Sequence, residues 1–170
     1  MPPCNPAAVV RDFPSESIGT IVFDAYIANS DRHPRNIAHS SAVGNPELRV
    51  FDHSHALLGC KAGDGPARLR RVTGKLVIDG GCGGHMHCLM NALSTEDFFE
   101  TWIGAVEAIA DDRIDAIVAK ATQYGKLSDG TAEVLVDFLK NRRLQIRDIM
   151  GKALQRTDIF TGLAARRLFP

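Results

Sequence analysis

The stretch from Asn29 to Gly59, NSDRHPRNIAHSSAVGNPELRVFDHSHALLG, sets acids, an amide and histidines around two short apolar runs. Ile37 to Ser40 and Leu48 to Phe51 are strand candidates, and Gly44, Asn45 and Pro46 between them suit the turn of a hairpin. Asp31 and Asn36 stand just before the first run, and Asp52 directly follows the second. A loop, a hairpin and a second loop are therefore expected, with two carboxylates and a carboxamide converging on one divalent cation.

Phosphoryl transfer from a nucleotide needs that set. A carboxylate orients the acceptor hydroxyl, and oxygen ligands hold magnesium against the phosphates. In the kinase template the catalytic Asp is followed five residues later by an Asn, because the loop between them turns back so that base and metal ligand face one phosphate. Asp31 and Asn36 keep that spacing, and Asp52 sits at a strand end that can aim its carboxylate into the same cleft. Hard oxygen donors suit magnesium or manganese better than zinc. Turn chemistry is the plain alternative, since Asn and Asp also bond their own backbone in loops.

At these residues FDAYIANSDRHPRN, followed by LRVFDHSHALLG, resembles the catalytic core of HipA-like kinases. The DRHxxN and DHxHxL elements are similar to those of phosphatidylinositol 3- and 4-kinases, and both groups share the protein-kinase-like fold. Further on, LVDFLKNRRLQIRDIM resembles the closing helix of HipA-like kinases, with no firm match in between. The resemblance implies that Asp31 is the catalytic-loop aspartate. It also implies that Asn36 and Asp52 hold Mg2+ or Mn2+ on ATP, and that Asn29 and His33 brace the nucleotide-binding loop. Asp52 is followed by His53, Ser54 and His55 where the inositide kinases have Asp-Phe-Gly-His. The acceptor suggested by the resemblance is a protein.

With 170 residues and 45% hydrophobic content the chain can bury one ordinary core. Twenty basic residues balance twenty acidic ones, which gives no reason to expect nucleic acid or an anionic membrane as partner. No secretory signal or membrane-length apolar run is visible, and Cys4, Cys60, Cys82 and Cys88 do not make a disulfide framework, so a cytoplasmic protein is expected.

The expected fold is mainly α with a small β-hairpin, an α+β large C-terminal lobe of a protein-kinase-like fold with the small lobe absent. Residues 1–14 read as an irregular, Pro-rich leader and residues 15–170 as the lobe. Within it, 15–57 carry the catalytic helix, loop and metal hairpin, with Ser15 capping a helix that buries Ile18, Ile21, Val22, Ala25 and Tyr26 and stops near Asn29. Residues 58–92 read as a mobile, glycine-rich, activation-like segment interrupted by the strand-like run Lys75 to Asp79. Residues 93–170 read as helices from Ser94 or Thr95 to Ala110, from Asp111 or Asp112 to Tyr124, and from Thr131 to Arg156. The last carries an apolar stripe of Val134, Leu135, Phe138, Leu139, Leu144, Ile146 and Ile149 beside a solvated basic face of Lys140, Arg142, Arg143 and Arg147. Trp102, with Phe98 and Phe99, is expected to anchor helix packing.

No lysine precedes Lys61, so no strand upstream of Asp31 offers a phosphate-contacting ammonium. A small lobe from a partner chain or a longer chain would complete a kinase, and apolar surface exposed on the cleft side would then form an interface, with that partner or in a homo-oligomer. Without such completion the lobe would be a catalytically inactive binding or scaffold module. Two further readings concern the glycine-rich segment. Cys82, His85, His87 and Cys88 could form a zinc module, although their spacing matches no known finger. KLVIDGGCGGH could be a phosphate loop, although it lacks the Gly-Lys-Ser/Thr ending.

Overall fold

The computed structural model describes residues 3–40, 46–60, 64–81 and 84–168, with backbone alone for 166–168. It is mainly helical with one two-stranded antiparallel sheet, as expected at that level. Within the 1–14 segment expected to be irregular stands a helix. Asn5 accepts from the Ala7 and Ala8 amides and Pro6 takes the first turn of α1 (Pro6–Asp12), a cap and a first-turn proline that favour a helix start. Val9 and Val10 on that helix are buried.

The next helix, α2 (Pro14–Tyr26), starts at Pro14 and has no side-chain cap. Ser15 does other work, its hydroxyl accepting from the Trp102 indole at 3.2 Å. The apolar face forms as its period predicts, with Ile18, Ile21, Val22, Ala25 and Tyr26 all buried. A single 3₁₀ turn, Pro34–Asn36, leads into β1 (Ile37–Ser40), which pairs with β2 (Glu47–Val50) so that Ile37 faces Val50 and Ser40 faces Glu47. The expected turn residues Gly44 and Asn45 lie outside the described residues.

Inside the glycine-rich segment stands a helix that was not expected, α3 (Gly65–Val72), with Pro66 in its first turn and Leu69 and Val72 in the core. Lys75 to Asp79 forms no strand. Val77 and Ile78 are buried, and Asp79 makes one isolated bridge to Met86. The helical half consists of α4 (Phe99–Glu107), α5 (Asp111–Gln123), α6 (Asp129–Leu154) and α7 (Thr161–Leu168). Helix α4 starts later than expected because the Thr95 hydroxyl turns back to the Asp97 amide and holds a local turn there. Helix α7 was not foreseen.

Packing centres on α6, against which α2, α3, α4 and α5 all lie, and α2 also packs on α4. Trp102 of α4 lies so close to Gly19 of α2 that a Cβ there would sit 2.5 Å from the indole, so the glycine permits the approach. On α6 the buried residues are Leu135, Phe138, Leu139, Arg142, Ile146, Ile149, Met150 and Ala153, each three or four positions from another of the set. Leu144 is out of phase with that set and is 72% exposed, although the stripe had included it.

Arg142 is the opposite correction. Expected on a solvated face, it is 1% exposed. Its Nε and Nη2 donate to the Ala25 carbonyl at 3.0 and 2.7 Å, Nη1 donates to the Val72 carbonyl at 2.9 Å, and the guanidinium lies over the Phe138 ring. The side chain therefore ties the ends of α2 and α3 to α6. Among the described residues no helix is long and apolar enough to cross a membrane.

Replacing Arg142 by Met removes three charge-assisted hydrogen bonds to the Ala25 and Val72 carbonyls, which keep only their local backbone partners, so urea unfolding is expected to show a loss of about 3 kcal/mol. Leu144→Ser should change stability by no more than about 0.5 kcal/mol. Equal effects in the two variants would contradict this account of α6.

Candidate functional site

A carboxylate on the core face of a helix needs full compensation, and Asp24 of α2 receives it. Arg32 donates through Nε to Oδ2 at 2.7 Å and through Nη2 to Oδ1 at 3.1 Å, with both side chains fully buried. The Asn29 amide donates to Oδ1 at 3.0 Å. His87 arrives from the glycine-rich segment. Its Nδ1 accepts from the Leu89 amide at 3.3 Å, which puts the ring proton on Nε2, 3.2 Å from Asp24 Oδ2 though off the line of a good hydrogen bond. Burial alone would raise the Asp24 pKa, but the close His87 ring and the hydrogen bonds and charge of Arg32 outweigh it and bring it down to about 2.

This buried group positions the loop above it. Arg32 Nη1 donates to the carbonyls of Asn36 at 3.2 Å and Phe51 at 2.6 Å, joining the start of the hairpin to the residue after its end. Asn29, bonded to Asp24 on one side, accepts the Asp31 amide at 3.3 Å on the other. The Asn36 amide donates to the Asp31 carbonyl at 3.1 Å, so the five-residue spacing is the span of a loop that closes on itself. His33 Nδ1 accepts from the Arg35 amide at 3.1 Å and starts the 3₁₀ turn. Asn29, Asp31, His33 and Asn36 thus form one hydrogen-bonded unit.

The Asp31 carboxylate looks out of that unit. His33, His55 and His85 place ring nitrogens 3.9, 3.8 and 4.0 Å from it. Asp52 follows β2 in a left-handed conformation at φ 54°, with Oδ1 accepting from the Ser54 amide at 3.2 Å and hydroxyl at 2.7 Å. These bonds hold its pKa below the usual carboxylate range, with further lowering from His55 and His33. The two carboxylates therefore share a pair of histidines.

The oxygen donors of Asp31, Asn36 and Asp52 have the hardness that magnesium takes. Among the described residues, however, no three His, Cys, Asp or Glu side chains are arranged to hold a metal ion.

The glycine-rich segment is docked on this loop where a mobile segment was expected. The His85 amide donates to the Ser30 carbonyl at 2.8 Å and the Cys88 amide to the Arg32 carbonyl at 3.0 Å. A Cβ on Gly84 would collide with Ser30, so only glycine allows this approach. The zinc reading finds its histidines separated, since His87 is buried against Asp24 and His85 faces Asp31. Burial, reinforced by nearby Cys4, pushes the Cys88 thiol up to about 12, which keeps it protonated and a poor metal ligand at neutral pH. Cys82 lies outside the described residues, as does part of the phosphate-loop reading.

A second clasp comes from Arg68 of α3. It donates to the carbonyls of Ala28 at 2.6 Å, His55 at 2.9 Å and Leu57. Ala28 and Leu57 both have left-handed backbones, at φ 51° and 48°, which non-glycine residues adopt only when held. Sequence reading missed Asp24, Arg32 and Arg68, and took up His87 only as a zinc ligand. Asp24 left a trace, as a lone acid among the apolar positions of α2, and Arg32 stood beside Asp31.

Neither protein-family models, curated proteins nor solved structures yield a match to this chain. The role of the buried carboxylate can be tested directly. Because the Asp24 pKa is lower folded than unfolded, its stabilisation is present above about pH 4 and is lost as pH falls toward 2. Asp24→Asn leaves Arg32 buried without its counter-charge and should cost about 3 to 5 kcal/mol at pH 7. The gap between wild type and variant in urea unfolding should narrow as pH falls from about 4 toward about 2. A gap independent of pH would refute the charge assignment.

Proposed function

We propose that the chain is the large lobe of a HipA-like phosphotransferase that passes a phosphoryl group from Mg-ATP to a hydroxyl. The observation that carries this reading is the closed loop, in which the Asn36 amide holds the Asp31 carbonyl while His33 and His55 lie near the Asp31 carboxylate and also help to lower the Asp52 pKa. In this reading Asp31 accepts the hydroxyl proton and orients its oxygen, and Asn36 and Asp52 are the residues that would hold the metal. Bound there, magnesium would neutralise charge on the phosphates. Asn29 and His33 keep the loop in shape.

The nucleotide would be covered by a small lobe from a partner or a longer chain. Phe23 and Phe51, 45% and 39% exposed, lie beside this site, with Phe23 edge-on to His53. They offer apolar surface where such a lobe would dock. The second reading, a binding module without turnover, draws on the lack of a closed acidic metal group among the described residues. In that case the loop is a scaffold.

Calorimetric titration with ATP separates the two. Phosphotransfer predicts magnesium-dependent binding that weakens about tenfold or more in Asp52→Ala and persists in Asp31→Asn, whose defect would lie in transfer. No magnesium-dependent heat from the wild-type chain, with or without a co-expressed small lobe, would leave the binding module standing.

A further inference from the structure

Beside Asp31 lies a cavity of about 380 Å³, within the range of small-ligand sites. Ser30 and His55 line it, and the His55 ring is 3.8 Å from the Asp31 carboxylate, so the candidate base lies next to the cavity lining. The opposite wall belongs to α3 and the chain just after it, with Asp64, Arg68, Arg71 and Lys75. Three cations and one carboxylate line it, in a chain whose charges balance as a whole.

These cations differ in what they already hold. Arg68 is turned onto the carbonyls of Ala28, His55 and Leu57. Arg71 pairs with Asp64 at 2.8 Å in a half-exposed contact. Lys75 makes no ion pair among the described residues. The Val72 carbonyl at the end of α3 does not need it either, since that oxygen accepts from Arg142 Nη1 and from the Lys75 amide. Its ammonium is thus a charge on a cavity wall with no internal task, backed by Arg71.

We infer that this cavity binds a small soluble molecule carrying a phosphate or carboxylate, with Lys75 as the residue that selects the anion. Under the proposed phosphotransfer this molecule is the acceptor, its anionic end on Lys75 and its hydroxyl toward Asp31. Only the word acceptor rests on that reading, because the anion site stands on the cavity and its charges. A neutral polyol of the same size would lack the contact that orients it.

The test is titration of the full chain, without nucleotide, with glycerol 3-phosphate, with glycerate and with glycerol, followed by amide shifts at Ser30, Gly59 and Val77. Saturable shifts with either anion and none with glycerol are expected, and which anion binds more tightly identifies the group. Lys75→Met and Lys75→Glu should weaken binding about tenfold or more. Lys75 is exposed, so both variants should melt like the wild type. No saturation with either anion, or affinity unchanged in both variants, overturns the inference. If Mg-ATP binds while the anions do not, the acceptor site fails and phosphotransfer stands. If the anions bind through Lys75 and Mg-ATP does not, the reverse holds.

Discussion

The buried pair of Asp24 and Arg32 is the constraint on which the rest of the site depends. Two opposite charges taken wholly out of water are costly unless their donors and lone pairs are used. Here four of the five guanidinium donors and both carboxylate oxygens are. Arg32 spends Nε and Nη2 on Asp24 and Nη1 on two carbonyls, while Asp24 also receives Asn29 and faces His87. Helix α2, the loop after it, the far end of the hairpin and the glycine-rich segment meet at this one pair. An apolar pair could fill the same volume with comparable stability, so the value of the charges lies in direction. They accept only one arrangement of four segments.

Two more arginines repeat the device. Arg68 gathers the carbonyls of Ala28, His55 and Leu57, and Arg142 those of Ala25 and Val72. A planar guanidinium with several fixed donors can bridge carbonyls from separate segments, which a single ammonium does less well. The consequence is visible in the backbone. Left-handed Ala28 and Leu57 carry a conformational cost that a free loop would relieve, and Arg68 holds both carbonyls in place.

How far the sequence could be read follows from the range of each interaction. The apolar period of α2 and the hairpin runs are local, and they were legible, while the bond from Asn36 to the Asp31 carbonyl is of the kind the turn-chemistry alternative describes. Leu144 and Arg142 were misassigned together. Hydropathy grouped Leu144 with its apolar neighbours, whereas the three-and-four phase of α6 buries Arg142. Helices α1 and α3 were hidden because Pro6, Pro66 and the surrounding glycines read as loop, although proline in a first turn favours a helix start. His87 and Arg68 act on the loop from distant positions, and nothing in their own neighbourhood announces a partner.

Asp24 and Asp31, seven residues apart, show how the same functional group is given opposite tasks. Asp24 is saturated at hydrogen-bond distance and fully buried, so it has no capacity left for a ligand. The Asp31 loop is held through its backbone, by Asn29 on the amide and Asn36 on the carbonyl, which leaves the carboxylate out of the scaffold. Its histidine neighbours stand at 3.8 to 4.0 Å, beyond a hydrogen bond, and among the described residues no donor closes on its oxygens. Under the proposed phosphotransfer Asp31 would accept a proton from an incoming hydroxyl, and so would need a lone pair that the fold has not already used. Tying down the main chain while sparing the side chain meets that need, and the saturated carboxylate below makes it stable.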